Sequence, residues 1–145
     1  MNLVKLSEER IANFGETTSL VYQGEAYTNI RIGKMGRRLA AGLKSLGVGR
    51  GDHVVVSMPN SPEVLNCFGA IWRIGAVIVP IMFLLGEDET RYILDHSDAK
   101  VVITSQDLVN ANSPMGLCEE MEENVRALMI YTSGTTGRPK GGYNI

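Results

Sequence analysis

The chain has few of the features that mark several large classes of protein. Of its 145 residues two are cysteine, Cys67 and Cys118, and they form no CxxC pair, which favours reduced thiols in the cytoplasm over a disulfide framework. The net charge is −2, so nothing indicates a nucleic-acid or anionic-membrane partner. The longest uncharged apolar stretch, Ile74–Leu85, contains Gly75 and Pro80 and is too short to span a bilayer. No transmembrane segment is therefore predicted.

Histidine is scarce as well. The sequence has two, His53 and His96, and neither has a partner at metal-ligand spacing. Each is predicted to be structural or solvent-facing, and no metal site is predicted. What remains is ordinary globular usage, with 44% apolar and 21% charged residues, and 145 residues suffice for one domain with a core.

The first part of the chain predicts a hairpin and a long helix. Ser7 can cap a short helix, and Gln23-Gly24 predicts a turn between strands Ser19–Tyr22 and Glu25–Thr28. Thr28 is a plausible N-cap for the helix that follows. Apolar residues at helical spacing predict the buried face of this helix: Ile32, Met35, Leu39, Leu43 and Leu46. Basic residues predict its solvent face: Lys34, Arg37, Arg38 and Lys44.

Short strands and helices then alternate. Strands are predicted at His53–Met58, Ala76–Val79 and Lys100–Thr104. One intervening helix begins with Ser61-Pro62-Glu63, where Ser61 is the predicted cap, and the other begins with Glu87-Asp88-Glu89. The face Val64, Phe68, Ile71 and Trp72 of the first helix is expected in the core. This order with short connections predicts an α/β fold with parallel strands and right-handed crossovers.

The glycine run Gly47-x-Gly49-x-Gly51 is predicted to be a turn. It follows a helix and precedes a strand, which is the reverse of a dinucleotide-binding fingerprint, and Asp52 comes directly after it.

The most informative stretch runs from Ala127 to Gly141, ALMIYTSGTTGRPKG. The apolar run Ala127–Ile130 predicts a buried strand, and small residues follow it. Glycines allow backbone amides to turn inward and form an anion-binding concavity, while Lys140 adds a positive charge. Four residues add hydroxyl donors: Thr132, Ser133, Thr135 and Thr136. Phosphate is the predicted ligand, although the stretch is not a Walker A loop, because Pro139 stands in the place of that motif's second glycine.

This loop resembles the signature of the adenylate-forming (AMP-binding) enzymes, which include the acyl-CoA synthetases. The resemblance rests on Thr132-Ser133-Gly134-Thr135-Thr136-Gly137 and on Pro139-Lys140-Gly141. Weaker matches lie at Gly51-Asp52, Asn60-x-Pro62-Glu63, Gly75-Ala76-x-x-x-Pro80 and Ser97-Asp98-Ala99-Lys100. The implied fold is an incomplete N-terminal portion of the large α/β adenylate-forming domain over residues 1–145, with the C-terminal domain absent. One departure is the segment 105–126, which is shorter than usual for the family and helix-like around Glu119–Val125.

The resemblance also implies an activity, that of an AMP-forming acid–CoA ligase acting on a fatty or other carboxylic acid. ATP, Mg²⁺ and CoA are the implied cofactors, and no Mg²⁺ ligand can be named. The residues implied to bind the nucleotide phosphates are Thr132, Ser133, Gly134, Thr135, Thr136, Gly137 and Lys140, and Lys140 is the implied catalytic residue. Two alternatives stay open: a non-catalytic α/β phosphate- or nucleotide-binding module, and an inactive fragment.

The sequence predicts that the 145-residue chain by itself forms no adenylate. The implied adenine and acyl pockets have no counterpart in these residues, and holding both reactants together accounts for much of the rate of such a reaction. Exchange of labelled pyrophosphate into ATP measures this directly. Exchange that depends on an added carboxylic acid and on the purified chain would contradict the expectation.

Overall fold

The computed structural model describes residues 3–104, 128–132 and 140–144. The helices within these residues are α1 (Leu3–Phe14), α2 (Asn29–Ser45), α3 (Pro62–Arg73) and α4 (Glu87–Ser97). The strands are β1 (Thr18–Tyr22), β2 (Glu25–Thr28), β3 (His53–Ser57), β4 (Val77–Ile81), β5 (Ala99–Thr104), β6 (Leu128–Thr132) and β7 (Lys140–Asn144). The helix-like segment Glu119–Val125 lies outside the described residues.

The strands form two sheets. β1 and β2 make the predicted antiparallel hairpin, and the other five lie side by side in the order β5-β3-β4-β6-β7. Strands β5, β3, β4 and β6 are parallel, which confirms the predicted α/β arrangement, while β7 runs antiparallel to β6. No strand was predicted after the loop, because Gly141 and Gly142 give β7 little strand propensity of its own. Pairing with β6 supplies what the local sequence lacks.

The two central strands are buried on both faces of the sheet. Val54 and Val56 of β3 face α2 and α3, whereas Val55 of the same strand faces α4. In β4, Ile78 packs on the same side as α2 and α3, whereas its neighbours Val77 and Val79 pack on the side of α4. Two-sided burial explains the unbroken β-branched runs of these strands, which are typical of parallel sheets.

Small residues take part with leucine and isoleucine in the contact between α2 and α3. A methyl group added at Gly36 would lie 3.5 Å from the carbonyl oxygen of Asn66, so the two backbones approach closely. The buried face of α2 is Gly36, Leu39, Ala40 and Leu43. The predicted stripe is therefore wrong at Met35 and Leu46, which are exposed.

Two further expectations about helix faces need correction. On α2, Lys34 and Lys44 are exposed as predicted, but Arg37 and Arg38 are half-buried. On α3, Ile71 is buried as predicted, whereas Val64, Phe68 and Trp72 are only partly buried against the core. The deeply buried residues of α3 include Cys67, Ala70 and Arg73.

The helix starts follow the sequence in part. The Thr28 hydroxyl accepts a hydrogen bond from the Arg31 amide at 3.2 Å, which confirms the predicted cap of α2. Ser61 is the N-cap residue of α3, with Pro62 in the first turn, but its side chain makes no capping hydrogen bond. α1 begins at Leu3 rather than at Ser7, because Val4 is buried and extends the helix towards the N-terminus.

The glycine run before β3 is the predicted turn, and it is fastened to the start of β5. Gly47 and Gly51 adopt φ values of +79° and +81°. The Gly49 amide donates to Asp52 Oδ2 at 2.8 Å, and Lys100 Nζ donates to the same oxygen at 2.8 Å. Lys100 also donates to the Gly47 carbonyl at 2.6 Å. These bonds hold the amino ends of β3 and β5 together.

Two hydrogen bonds lower the pKa of the Asp52 carboxyl below its ordinary value of 3.8. The one from Lys100 has the larger effect, and the one from the Gly49 amide has the smaller. The resulting stabilisation is complete above that value and is lost as the pH falls through the folded-state pKa. Asp52→Asn should therefore lower the free energy of unfolding by about 0.5–1.5 kcal/mol at pH 7 and by less at pH 3. Urea denaturation of both proteins at the two pH values measures this. An equal difference at both would contradict the assigned role of the carboxylate charge.

Candidate functional site

The ends of the predicted phosphate loop meet at the carboxyl edge of the parallel sheet. β6 is parallel to β4, so it ends at the same edge as β3 and β4. Thr132, the last residue of β6, pairs in register with Lys140, the first residue of β7. Backbone pairing of β6 with β7 therefore fixes the positions of Thr132 and Lys140, the residues on either side of 133–139. The carboxyl edge is where open α/β sheets bind ligands.

The predicted phosphate ligands are only partly described. The backbones of Thr132 and Lys140 have the places given above. The side chains of Thr132 and Lys140 lie outside the described part of the structure. So do the remaining predicted site residues, Ser133, Gly134, Thr135, Thr136 and Gly137. Their roles stay predictions.

A cleft of roughly 640 Å³ lies beside the end of β6. Its lining comes from the segments after β3 and β4, from α4 and from β6. The apolar part of the lining is Met58, Pro80, Ile81, Met82, Phe83, Leu85, Ile93 and Ile130, and the polar part is Asn60, Glu89 and Tyr131. Met82 is 69% exposed and Phe83 is 49% exposed, so much of the apolar surface is open to solvent. Such a volume is in the ordinary range for small-molecule sites.

The sequence analysis did not identify this cleft. One signal was available, since Met82-Phe83-Leu84 is an apolar run directly after a strand, where a loop is usually polar. The remaining lining residues come from four separate segments, and only the sheet order brings these together.

His96 joins α4 to the strand that leads into the loop. Its Nδ1 atom lies 2.8 Å from the Tyr131 hydroxyl, and its ring stacks on Tyr92 with centroids 5.5 Å apart. His53, the first residue of β3, also contacts α4, because its Nδ1 atom is hydrogen-bonded to the carbonyl of Ser97. Both histidines make structural contacts, in agreement with the sequence prediction.

In the described part of the loop motif, packing explains why position 141 is glycine. A methyl group added there would lie 3.0 Å from Met129 Cε and 3.2 Å from Tyr131 Cζ. Tyr131 and Gly141 are direct cross-strand partners, so the ring lies over the backbone of β7. Glycine thus leaves room for the Tyr131 ring over β7, while the Tyr131 hydroxyl reaches His96.

Two classes of chemistry find no support in the described residues. Cys67 is buried, and desolvation, with a smaller contribution from Glu63, raises the pKa of its thiol to about 12, so it is a poor nucleophile. Over residues 3–104, 128–132 and 140–144, no three His, Cys, Asp or Glu side chains are grouped so that they could hold a metal ion. Within the same ranges, no helix combines the length and the apolar character needed to cross a bilayer.

Comparison with known proteins gives the family. The model of the family described as AMP-binding enzyme matches residues 7–126. The chain belongs to the AMP-binding enzyme family. The match ends before Ala127, so the assignment does not depend on the loop, and it confirms the resemblance drawn from the sequence.

Three relatives illustrate how the chain compares with other AMP-binding enzymes. Feruloyl-CoA synthase of an Amycolatopsis species is 32% identical over 86% of this chain, and surfactin synthase subunit 1 of Bacillus subtilis is 30% identical over 96%. The N-terminal subdomain of Klebsiella oxytoca NpsA, solved in complex with 3-hydroxyanthranilyl-AMSN, matches 98% of the chain with a TM-score of 0.88 and 25% identity. The chain spans 29% of the feruloyl-CoA synthase, 4% of the surfactin synthase subunit and 40% of the NpsA chain. The α/β fold is thus that of an adenylate-forming N-terminal subdomain.

Replacing Gly141 by alanine should displace the Tyr131 ring and weaken its hydrogen bond to His96. We expect the free energy of unfolding to fall by about 1–3 kcal/mol, the usual cost of overpacking. Gly142→Ala is the matched control, because a methyl group there would meet nothing within 4 Å, and its effect should stay within about 0.5 kcal/mol. Urea denaturation of the two variants measures the difference. Equal stability of the two variants would show that an added methyl group at position 141 is accommodated without cost, and that the packing of Tyr131 on Gly141 is not tight.

Proposed function

We propose that this chain supplies the phosphate-binding loop of an AMP-forming acid–CoA ligase. The observation that supports the proposal best is the pairing of Thr132 with Lys140, the two ends of the motif. This pair lies at the carboxyl edge of the parallel sheet, beside a cleft of roughly 640 Å³, in a chain of the AMP-binding enzyme family. A loop rich in glycine and hydroxyl residues at such an edge suits a polyphosphate.

The proposed reaction has two steps. A carboxylate oxygen of the acid attacks the α-phosphorus of ATP, and the bond to the bridging oxygen breaks, so that pyrophosphate leaves and an acyl-adenylate forms. The thiol of CoA then loses its proton and attacks the acyl carbon, which releases AMP and forms the thioester. Mg²⁺ would accompany ATP and neutralise part of the phosphate charge, and we assign it no protein ligand.

Each proposed site residue has a role in the first step. The backbone amides of residues 133–137 and the hydroxyls of Thr132, Ser133, Thr135 and Thr136 would hold the β- and γ-phosphates. Lys140 would place its ammonium group against the charge that develops on the leaving pyrophosphate. Preorganised donors at a developing charge are commonly the largest single contribution to catalysis.

The two steps have unequal support. Membership of the family supports adenylation, whereas only some of the relatives support the CoA step, since the name of feruloyl-CoA synthase includes CoA and that of surfactin synthase does not. The acid is proposed as a fatty or other carboxylic acid. A cytoplasmic location is also proposed, on the number and spacing of the two cysteines.

Replacing Lys140 by alanine tests the assigned role in a full-length protein that carries this sequence. The triphosphate and the leaving pyrophosphate exist only in the first step, so adenylation should slow much more than thioester formation. Loss of one preorganised cationic donor should cost about 2–4 kcal/mol, or roughly two to three decades in rate. Lys140→Arg should restore only part of the rate, because a planar guanidinium does not reproduce a compact ammonium group.

Single-turnover kinetics separate the steps: adenylate formation from ATP and acid, and thioester formation from supplied acyl-adenylate and CoA. Lys44→Ala, which removes an exposed lysine of α2, is the control and should change neither rate. Equal slowing of both steps by Lys140→Ala would mean that this lysine supports the fold of the loop rather than the leaving group.

A further inference from the structure

The end of strand β6 that leads into the loop motif has little backbone pairing with the parallel sheet. Among the described residues, the register between β4 and β6 consists of one pair, Ile78 with Leu128, and Leu128 is the first residue of β6. The later residues of β6, from Met129 to Thr132, pair with β7, which is the last strand of the sheet in the described part of the chain. Side-chain contacts therefore have to tie this end of the β6–β7 pair to the rest of the domain.

Tyr131 is well placed to make such contacts. It is the residue before Thr132, and its direct cross-strand partner Gly141 is the residue after Lys140. A methyl group added at Gly141 would lie 3.2 Å from Tyr131 Cζ, so the tyrosine ring lies against the second strand as well. The ring also packs against the buried cluster on the α4 side of the sheet. Tyr131 thus contacts both strands at the points where the loop motif begins and ends.

His96 of α4 holds the other end of the Tyr131 side chain. Its Nδ1 atom lies 2.8 Å from the Tyr131 hydroxyl, and the two rings meet edge to face with centroids 5.7 Å apart. The imidazole is itself stacked on Tyr92, one turn earlier in α4, at an interplanar angle of 26°. Helix α4 is fixed on the sheet by Ile93, which is buried in the cluster that Tyr131 joins. The contact of Tyr131 with His96 therefore connects the ends of the loop motif to a helix that is packed on the sheet.

We propose that Tyr131 and His96 are positioning residues for the phosphate loop. Their hydrogen bond holds the paired residues Thr132 and Lys140 in the place from which the motif binds polyphosphate. The inference rests on the function proposed above and adds to it the residues that fix the loop. Neither residue has to touch the nucleotide, because each acts through the backbone of β6 and β7. Small displacements of binding groups are enough to weaken binding and slow a reaction.

This role can be separated from a general contribution to stability. The hydrogen bond between Tyr131 and His96 lies at the surface, and a hydrogen bond contributes modestly to net stability. Tyr131→Phe removes the hydroxyl and keeps the ring that packs on β7 and on the buried cluster. The urea midpoint of this variant should therefore stay close to that of the wild type, while the loop loses its connection to α4.

Binding of magnesium pyrophosphate to a full-length protein that carries this sequence, measured by isothermal titration calorimetry, tests the inference. Tyr131→Phe should weaken binding by roughly two- to tenfold, the worth of one hydrogen bond. His96→Leu should weaken it about equally, and the double variant should be little worse than either single one, because both changes remove the same bond. His96→Asn should restore part of the affinity, since the asparagine amide reaches about the position of Nδ1 and keeps a hydrogen-bonding atom there.

Tyr27→Phe is the matched control. It also removes a tyrosine hydroxyl that makes a hydrogen bond, in this case to Glu25 at 2.9 Å in the β1–β2 hairpin, and it should leave pyrophosphate binding unchanged. A second readout is single-turnover thioester formation from supplied acyl-adenylate and CoA. Tyr131→Phe should leave this rate unchanged, because pyrophosphate takes no part in the second step.

The outcomes separate this inference from the proposed function. Pyrophosphate binding that Lys140→Ala weakens but Tyr131→Phe and His96→Leu leave unchanged would overturn the inference alone. The reverse pattern would support the inference and contradict the role proposed for Lys140. Losses that add in the double variant, or equal slowing of both reaction steps by Tyr131→Phe, would also overturn the inference. Failure of the wild-type protein to bind magnesium pyrophosphate would overturn the inference and the proposed function together.

Discussion

The structure depends on burial of both faces of the two central strands, β3 and β4. Their valine and isoleucine side chains must be covered on each side, so α2 and α3 lie on one face and α4 on the other. Strand β4 leads through α4 to β5, which pairs on the far side of β3, and β6 then pairs with β4. This arrangement buries both faces of β3 and β4, and among the described residues the cleft lies at the carboxyl edge of the sheet.

Close packing is the second constraint, and it is tightest at Gly141. At Gly36 α2 lies in van der Waals contact with the backbone of α3, and at Gly141 the small residue leaves room for the Tyr131 ring over β7. The second contact is linked to the site, because Tyr131 lines the cleft and is hydrogen-bonded to His96. Through these contacts α4, β6 and the end of the loop hold one another in place.

Much of the fold follows from local sequence, and most of the site does not. The hairpin, the Thr28 cap, the glycine turn and the parallel β3–β4–β5 unit were predictable, because cap, turn and periodicity signals act over a few residues. The exposure of Met35 and Leu46 was not, because the spacing of apolar residues does not show that Gly36 and Ala40 make the helix contact. Strand β7 and the cleft depend on pairing between distant segments. The phosphate role of the loop motif stays a prediction, made because glycine, hydroxyl and lysine residues at that spacing suit a phosphate.

The central proposal is that residues 132–140, which connect β6 to β7, bind polyphosphate at the carboxyl edge of the sheet. Backbone amide chemical shifts of the isotopically labelled chain, titrated with magnesium pyrophosphate, test it most directly. The account predicts that the largest shift changes occur at the amides of residues 132–137 and 140–141, with small changes in α1 and at Arg73. Changes concentrated elsewhere, or none at millimolar pyrophosphate, would contradict it.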